Sequence, residues 1–225
     1  MSEMICALDV GTTKICALIG AFDENGALRI IGFSRVPSRG IRRGVVVNTT
    51  EAKAAITQAI QQAEATAGAD VAMESAYVGI SGAHVSTLGS KGAIAVGRNG
   101  RKITREDTQR AVEQARNIAL PHNREIINAV PRRYMVDDEQ GILDPIGMFG
   151  YRLEVDANII TGATSAVANL VNCVLDSGVE IRDLVFQPLA SAAAVLTDEE
   201  RSAGVALVDM GGGTTDLAIY FESAP

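Results

Sequence analysis

The sequence predicts an α/β fold, with a mixed sheet flanked by helices and a second, inserted α+β unit. Three observations predict it. Short runs rich in Ile, Val and Leu recur between Gly- and Asp-containing turns, as strands do. Two stretches among them, residues 50–67 and 166–176, carry apolar residues at helical spacing. One short pattern, an apolar run, an Asp, a Gly/Thr turn and a second apolar run, occurs at Asp9 and again at Asp209.

The elements follow in order. Met4–Val10 and Lys14–Gly20 flank Gly11-Thr-Thr13 and read as a β-hairpin. Leu28–Val36 is a third strand after the turn Asp23–Gly26. Ala52, Ile56, Ala59, Ile60 and Ala63 mark a helix over 50–67, with Thr50 expected to cap its start and Gly68 its end. Met73–Ile80 returns to strand. His84–Val96 reads as paired strands turning near Gly89–Gly92. Thr104–Asp107 has the form of a capping box opening a helix to about Ala119, which Pro121 terminates. Ile126–Val136 and Arg152–Thr161 are strands, and Asp137–Gly150 between them is a loop. Ala166–Asp176 is a helix closed by Gly178, Ile181–Phe186 a strand, and Pro188 suits the first turn of the helix that follows. Gly204–Met210 and Asp216–Phe221 are strands around Gly211–Thr215.

The 225 residues amount to about one and a half domains at ~150 residues each. A hydrophobic content of 47% is enough for a core and argues against a disordered chain. With 27 acidic and 20 basic residues the net charge is −7, against a dedicated nucleic-acid binder. Cys6, Cys16 and Cys173 show no paired or CxxC spacing, so reduced thiols are expected rather than a disulfide framework or a zinc site. No run approaches the ~18 apolar residues of a membrane span, and the first residues lack the basic flank of a signal peptide. The chain reads as soluble and intracellular.

The repeated hairpin carries the chemistry. An Asp at the end of a buried strand is costly unless it is hydrated, hydrogen-bonded or beside a cation. Asp9 and Asp209, facing each other across a cleft, would hold a hydrated Mg²⁺, which keeps several waters and uses one or two carboxylates with substrate phosphates. The Gly/Thr turns present backbone N–H groups that bind phosphate oxygens, and Lys14 adds a point charge. No helix-opening GxxxxGK[ST] loop occurs in the sequence.

Asp9–Lys14 resembles the first phosphate motif of the actin/DnaK-type chaperone/sugar-kinase superfamily. Val208–Asp216 resembles its second, and Phe186–Ala194 its connecting motif. Within that superfamily Ala76–His84, Ile103–Asp107, Pro131–Asp137 and Gly141–Glu154 are similar to the FtsA family of bacterial cell-division actin homologues. The resemblance covers essentially the whole chain. It implies an actin-like (ribonuclease-H-like) first lobe at 1–82 and 162–202, an FtsA-type insert at 83–161, and the start of a second lobe at 203–225. It implies ATP with Mg²⁺, at most weak ATPase activity, and filaments at the inner face of the cell membrane. The implied partners are a second copy, FtsZ, and later division proteins with 83–161 as their candidate surface; no nucleic acid is implied.

By the same resemblance Gly11, Thr12, Thr13 and Lys14, with Gly211, Gly212, Gly213 and Thr214, bind β/γ-phosphate. Asp9 and Asp209 meet Mg²⁺ through water. Gln187, with Asp209, stands near the attacking water. A Gln orients water but is a poor base. The chain reads as an N-terminal fragment, with the adenosine pocket, the FtsZ-binding part and a C-terminal amphipathic membrane helix outside it, and weak nucleotide binding is expected of it. Two alternatives remain. A PilM-like assembly adaptor shares the hairpins and a similar insert but not the 131–154 match. A sugar kinase of the same superfamily needs a catalytic Asp and a sugar pocket for which the sequence offers no candidate.

The other candidates are read as structural. Arg98, Arg101, Lys102 and Arg105, Arg132 and Arg133, and Arg39, Arg42 and Arg43 are expected on solvated faces, and Asp137–Glu139 in a solvated loop; for the first two clusters the alternative is a partner or inter-protomer contact, and for the acidic run an Arg-bearing partner. Cys6 and Cys16 are expected as small buried apolar groups on facing strands, and Asp156–Gly162 at an edge of its unit. Ser81 and Ser191 have no base nearby in sequence, so nothing supports a serine hydrolase.

Overall fold

The computed structural model describes residues 4–222. They form two compact units. The first holds the chain up to His84, Ala163–Ala194 and Val208–Leu217; the second holds Val85–Gly162, Val195–Leu207 and the residues from Ala218.

The chain begins with the hairpin β1 (Met4–Val10) and β2 (Lys14–Phe22), followed by β3 (Leu28–Pro37) antiparallel to β2. A miniature hairpin, β4 (Ile41–Arg42) and β5 (Val45–Val46), leads to α1 (Thr49–Ala67) and β6 (Ser75–Ile80). The cap of α1 is Asn48, whose side chain accepts from the Glu51 amide at 3.2 Å, so Thr50 lies inside the first turn rather than at the cap. Gly68 closes the helix as expected, its amide bonding Glu64 O. Ala52, Ala55, Ile56, Ala59, Ile60 and Ala63 form the buried stripe of α1. Small residues there let the helix lie close to β3, where Ser34 donates from its buried hydroxyl to Ala59 O at 2.6 Å.

The second unit contains β7 (Ser86–Ala95), β8 (Arg101–Lys102), α2 (Arg105–Arg116), β9 (Arg124–Val136), β10 (Glu139–Ile142), β11 (Phe149–Gly150) and β12 (Arg152–Ala163). Its main sheet has the order β10-β9-β12-β7, and α2 packs on it over Ile94, Ala111, Ala115, Leu153 and Val155. Four expectations are corrected here. His84–Val96 is not a strand pair: β7 runs straight through Gly89–Gly92, antiparallel to β12. Gly92 serves close packing instead, since a Cβ there would come within 2.1 Å of Ala111 O. Helix α2 stops at Arg116 with Asn117 as its C-cap, before Pro121 is reached. Segment 137–150 carries β10, paired with β9, and β11, paired with β8. Asp137 accepts from the amides of Tyr151 and Arg152 at 2.9 and 2.8 Å, which gives the first carboxylate of that acidic run a structural role. Residues 156–162 lie in the interior strand β12, not at an edge.

The capping box of α2 forms as read. Asp107 is 1% exposed, accepts from the Thr104 amide at 3.0 Å and takes both arms of Arg101 at 2.6 and 2.8 Å. Arg101 therefore belongs to a structural ion pair rather than to a purely solvated face. These contacts hold the Asp107 carboxyl well below the ordinary carboxylate range, the Arg101 hydrogen bonds being the largest cause.

The chain then forms α3 (Thr164–Leu175), β13 (Glu180–Phe186) and α4 (Gln187–Val195). The five-stranded sheet has the order β13-β6-β1-β2-β3, with β13, β6 and β1 parallel and β1, β2 and β3 antiparallel. Leu8, Ile15, Ile19, Ile56, Val78 and Val167 are almost fully buried in its core. A short helix not anticipated from the sequence, α5 (Asp198–Ala203), opens with a capping box from Thr197 and Glu200. The hairpin β14 (Val205–Met210) and β15 (Thr215–Tyr220) follows. Among the described residues no helix is long and apolar enough to cross a membrane.

Candidate functional site

Three parallel neighbours end on one side of the five-stranded sheet. The register sets Asp9 beside Gly79 and Gly79 beside Val185. Two residues further along their chains come Ser81 and Gln187. Parallel strands present their carboxyl ends together, and ligands of α/β sheets collect there.

Gln187 reaches across to Asp9, donating from Nε2 to Oδ1 at 2.7 Å, and its Oε1 accepts from the Ser81 hydroxyl at 2.6 Å. It can lie there because residue 79 has no side chain: a Cβ on Gly79 would stand 3.1 Å from Gln187 Cγ. Gln187 also opens α4, with Pro188 in the first turn, where the missing N–H costs nothing. One turn on, Ser191 donates to Asp209 Oδ2 at 2.8 Å. Helix α4 thus supplies one partner to each of the two hairpin aspartates.

The two Gly/Thr turns close alike. Gly11 N donates to Lys14 O at 3.0 Å, and Gly211 N to Thr214 O at 2.9 Å. Thr12 Oγ1 accepts from the Gly44 amide at 3.2 Å and Thr13 O from Ser38 at 3.1 Å, which braces the first tip. The tips meet. A Cβ on Gly212 would lie 2.1 Å from Thr13 Cγ2, and one on Gly213 2.8 Å from Thr12 Cγ2. Glycine is what lets the second turn approach the first. The amides of Thr12, Thr13, Gly212 and Gly213 have no acceptor among the described residues, and such outward donors in succession form an anion-binding nest.

A cavity of about 620 Å³ lies at this place. Asp9, Gly11, Thr12, Thr13, Lys14, Gln187, Asp209, Gly211, Gly212 and Thr214 all line it, as do Arg35, Tyr77, Gly79, Ser81 and Ser191. Of the residues singled out from sequence, Gly213 alone is not in the lining; it packs on Thr12. Burial raises the Asp9 carboxyl above its ordinary value, Lys14 offsets part of this, and the Asp209 charge adds to the rise. A carboxylate in that situation gains from a cation. Two carboxylates, free amides and one Lys form a donor set suited to Mg²⁺ with phosphates, the cation keeping water. Cys16, opposite Asp9 in the hairpin, is half-buried rather than fully buried, and burial followed by the Asp9 charge raises its thiol.

Sequence reading missed the parts played by Ser81, Ser191 and Gly79. Both serines had been weighed only as nucleophiles. The sequence signal was limited to the place of the serines just past, or one helical turn beyond, a strand end; that these strands run parallel to β1 is a fact of the fold.

Comparison with solved structures defines the class: the chain has a mixed α/β, actin-like fold. The chain matches a chain of the PilM-PilN type IV pilus biogenesis complex with a TM-score of 0.62 at 16% identity, over 96% of this chain and 57% of that one. It matches the ethanolamine utilization protein EutJ from Carboxydothermus hydrogenoformans with a TM-score of 0.50 at 16% identity, over 100% and 50%. At such identities these likenesses concern the fold alone.

Sequence narrows the likeness. Residues 82–161 match the SHS2 domain inserted in FtsA. The cell division protein FtsA of Pseudomonas aeruginosa is 39% identical over 99% of this chain and 52% of its own length. That of Borreliella burgdorferi is 40% identical over 99% and 54%, and that of Bacillus subtilis 36% identical over 97% and 49%. Over nearly its whole length the chain is similar to the FtsA cell-division proteins, and it carries the match to their inserted SHS2 domain. It spans about half the length of these curated relatives.

Proposed function

We propose that these residues carry the phosphate-and-magnesium end of the nucleotide site of an ATP-binding division protein. That protein forms filaments at the inner face of the cell membrane, tethers FtsZ and recruits later division proteins. The observation that carries the reading is the pair of identically closed turns, each with an Asp at the strand end, meeting at one cavity. In this reading 1–82 and 162–202 are the first lobe, 83–161 is the inserted unit that contacts another copy and later partners, and 203–225 begins the second lobe.

Gly11–Lys14 and Gly211–Thr214 hold the phosphate oxygens through their amides and the Lys14 charge. Asp9 and Asp209 orient the water shell of Mg²⁺. The cation, when bound, neutralises phosphate charge. Gln187 and Asp209 stand nearest the place of an attacking water. A carboxamide is no base, so turnover is slow and the role is structural and recruiting. The PilM likeness supports the fold of an assembly adaptor equally well. The FtsA-type inserted domain at 82–161 favours division.

The test separates phosphate from base. The chain is titrated with Mg²⁺-tripolyphosphate and with Mg²⁺-ATP by calorimetry, alongside Asp9→Asn and Asp209→Asn. Saturable binding of both ligands at millimolar or lower concentration, weakened at least tenfold in each variant, is expected. Binding unaffected by either variant would contradict the assignment.

A further inference from the structure

Gln187 sits between an acceptor and a donor, and the order of those neighbours decides which way its amide points. An ionised carboxylate only accepts hydrogen bonds. The edge of Gln187 facing Asp9 must therefore be the NH₂, which donates to Oδ1 at 2.7 Å. Its carbonyl then points away and needs a donor. The Ser81 hydroxyl supplies one at 2.6 Å, on a residue only 8% exposed, where bulk water is a poor substitute. The reverse amide orientation would set Oε1 against the Asp9 carboxylate, an acceptor against an acceptor, while the Ser81 hydroxyl would only change from donor to acceptor.

We infer that Ser81 is a positioning residue: Asp9 sets which way the Gln187 carboxamide faces, and the Ser81 hydroxyl anchors its carbonyl and holds the NH₂ on Asp9, so that Gln187 meets the cavity as a hydrogen-bond donor. Two consequences follow, and both rest on the proposed function. A water beside Gln187 meets an N–H and not the carbonyl, so the side chain donates a hydrogen bond to it. A hydrated cation approaching Asp9 also competes at Oδ1 with an amide that is anchored at both ends. Removing the Ser81 hydroxyl leaves the half-buried Gln187 Oε1 without its donor, which favours the amide swinging away from Asp9.

The first experiment uses the chain without ligand. The side-chain NH₂ of Gln187 is followed by NMR through its exchange with water in wild type, Ser81→Ala and Ser81→Thr, with the backbone spectrum as the control for folding. Exchange roughly five times faster in Ser81→Ala is expected, the factor corresponding to one net hydrogen bond of ~1 kcal/mol. Ser81→Thr, which keeps the hydroxyl, is expected to restore the wild-type rate. Equal rates in wild type and Ser81→Ala, or a Thr variant that behaves as the Ala variant does, overturn the inference. Mg²⁺-tripolyphosphate then tests the consequence: Ser81→Ala binds about fivefold tighter and Ser81→Thr like wild type. Equal or weaker binding by Ser81→Ala overturns the displacement argument. If no variant responds to the ligand, the reading of the site as a phosphate grip fails, while the exchange rates alone still decide the role of Ser81.

Discussion

Replacing Gly212 by Ala tests whether the meeting of the two turns is what makes the site. The added Cβ would lie 2.1 Å from Thr13 Cγ2, 2.8 Å from its Oγ1 and 3.0 Å from its Cβ. Ordinary carbon contacts are about 3.5–4.0 Å. Rotating Thr13 about χ1 moves Cγ2 and Oγ1 but not Cβ, so an overlap of roughly 0.5–1 Å survives any rotamer. The tips must separate. Overpacking in a tight core costs about 1–3 kcal/mol, but Thr13 is exposed and its turn can yield into solvent. Stability is therefore expected to fall by only about 1 kcal/mol, the low end of that range. Binding of Mg²⁺-tripolyphosphate, which needs both turns at once, is expected to fall at least tenfold. Urea unfolding and calorimetric titration measure the two effects. The double variant Thr13→Gly/Gly212→Ala moves the single Cβ across the contact and is expected to recover much of the binding, a coupling that a double-mutant cycle isolates. Wild-type binding by Gly212→Ala, or no recovery in the double variant, would refute the reasoning.

Other outcomes follow from the same geometry. Gly92→Ala drives a Cβ to 2.1 Å from Ala111 O and 2.5 Å from Ala115 N, both backbone atoms of α2. It is expected to destabilise the second unit by about 2–3 kcal/mol in urea, whereas Gly89→Ala, with nothing within 4 Å, stays within about 0.5 kcal/mol of wild type. Asp107→Ala removes half of the capping box and the buried end of the Arg101 pair, and is expected to cost roughly 2–4 kcal/mol. The Asp107 carboxyl is depressed below its unfolded value of 3.8. Its contribution is thus complete above that value and is lost as pH falls through and below it. Asp107→Asn is expected to flatten the acid limb of the stability profile in that range, and an unchanged limb would contradict the ion pair. Gly79→Ala crowds Gln187 at Cγ and Nε2 and is expected to accelerate exchange of the Gln187 amide, as Ser81→Ala does.

Much of the fold was legible because the signals were local. Strand–turn–strand patterns placed β1, β2 and β3, helical spacing placed α1 and α3, and the Thr104/Asp107 pair placed the start of α2. The misreadings arose where a local signal has two meanings. Gly89 and Gly92 read as a turn, yet Gly92 serves a helix passing over a strand, a fact that belongs to the tertiary structure. The Asp- and Gly-rich stretch 137–150 read as loop, yet its pieces pair with β9 and β8. Helix α5 was overlooked although Thr197 and Glu200 form the same capping signature that was accepted at Thr104. At the site the hairpin residues were legible because they repeat. Ser81, Ser191 and Gly79 were not, because their parts depend on which strands are parallel neighbours and on the register between them.

The most direct test of the central claim is where a paramagnetic cation settles. Mn²⁺ brought in with tripolyphosphate should broaden the backbone amide signals of Gly11–Lys14 and Gly211–Thr214 together, at one ligand concentration, and Asp209→Asn should abolish the broadening at both. Broadening of one turn without the other, or centred instead on exposed carboxylates such as Asp138 and Glu139, would contradict a phosphate site shared by the two hairpins.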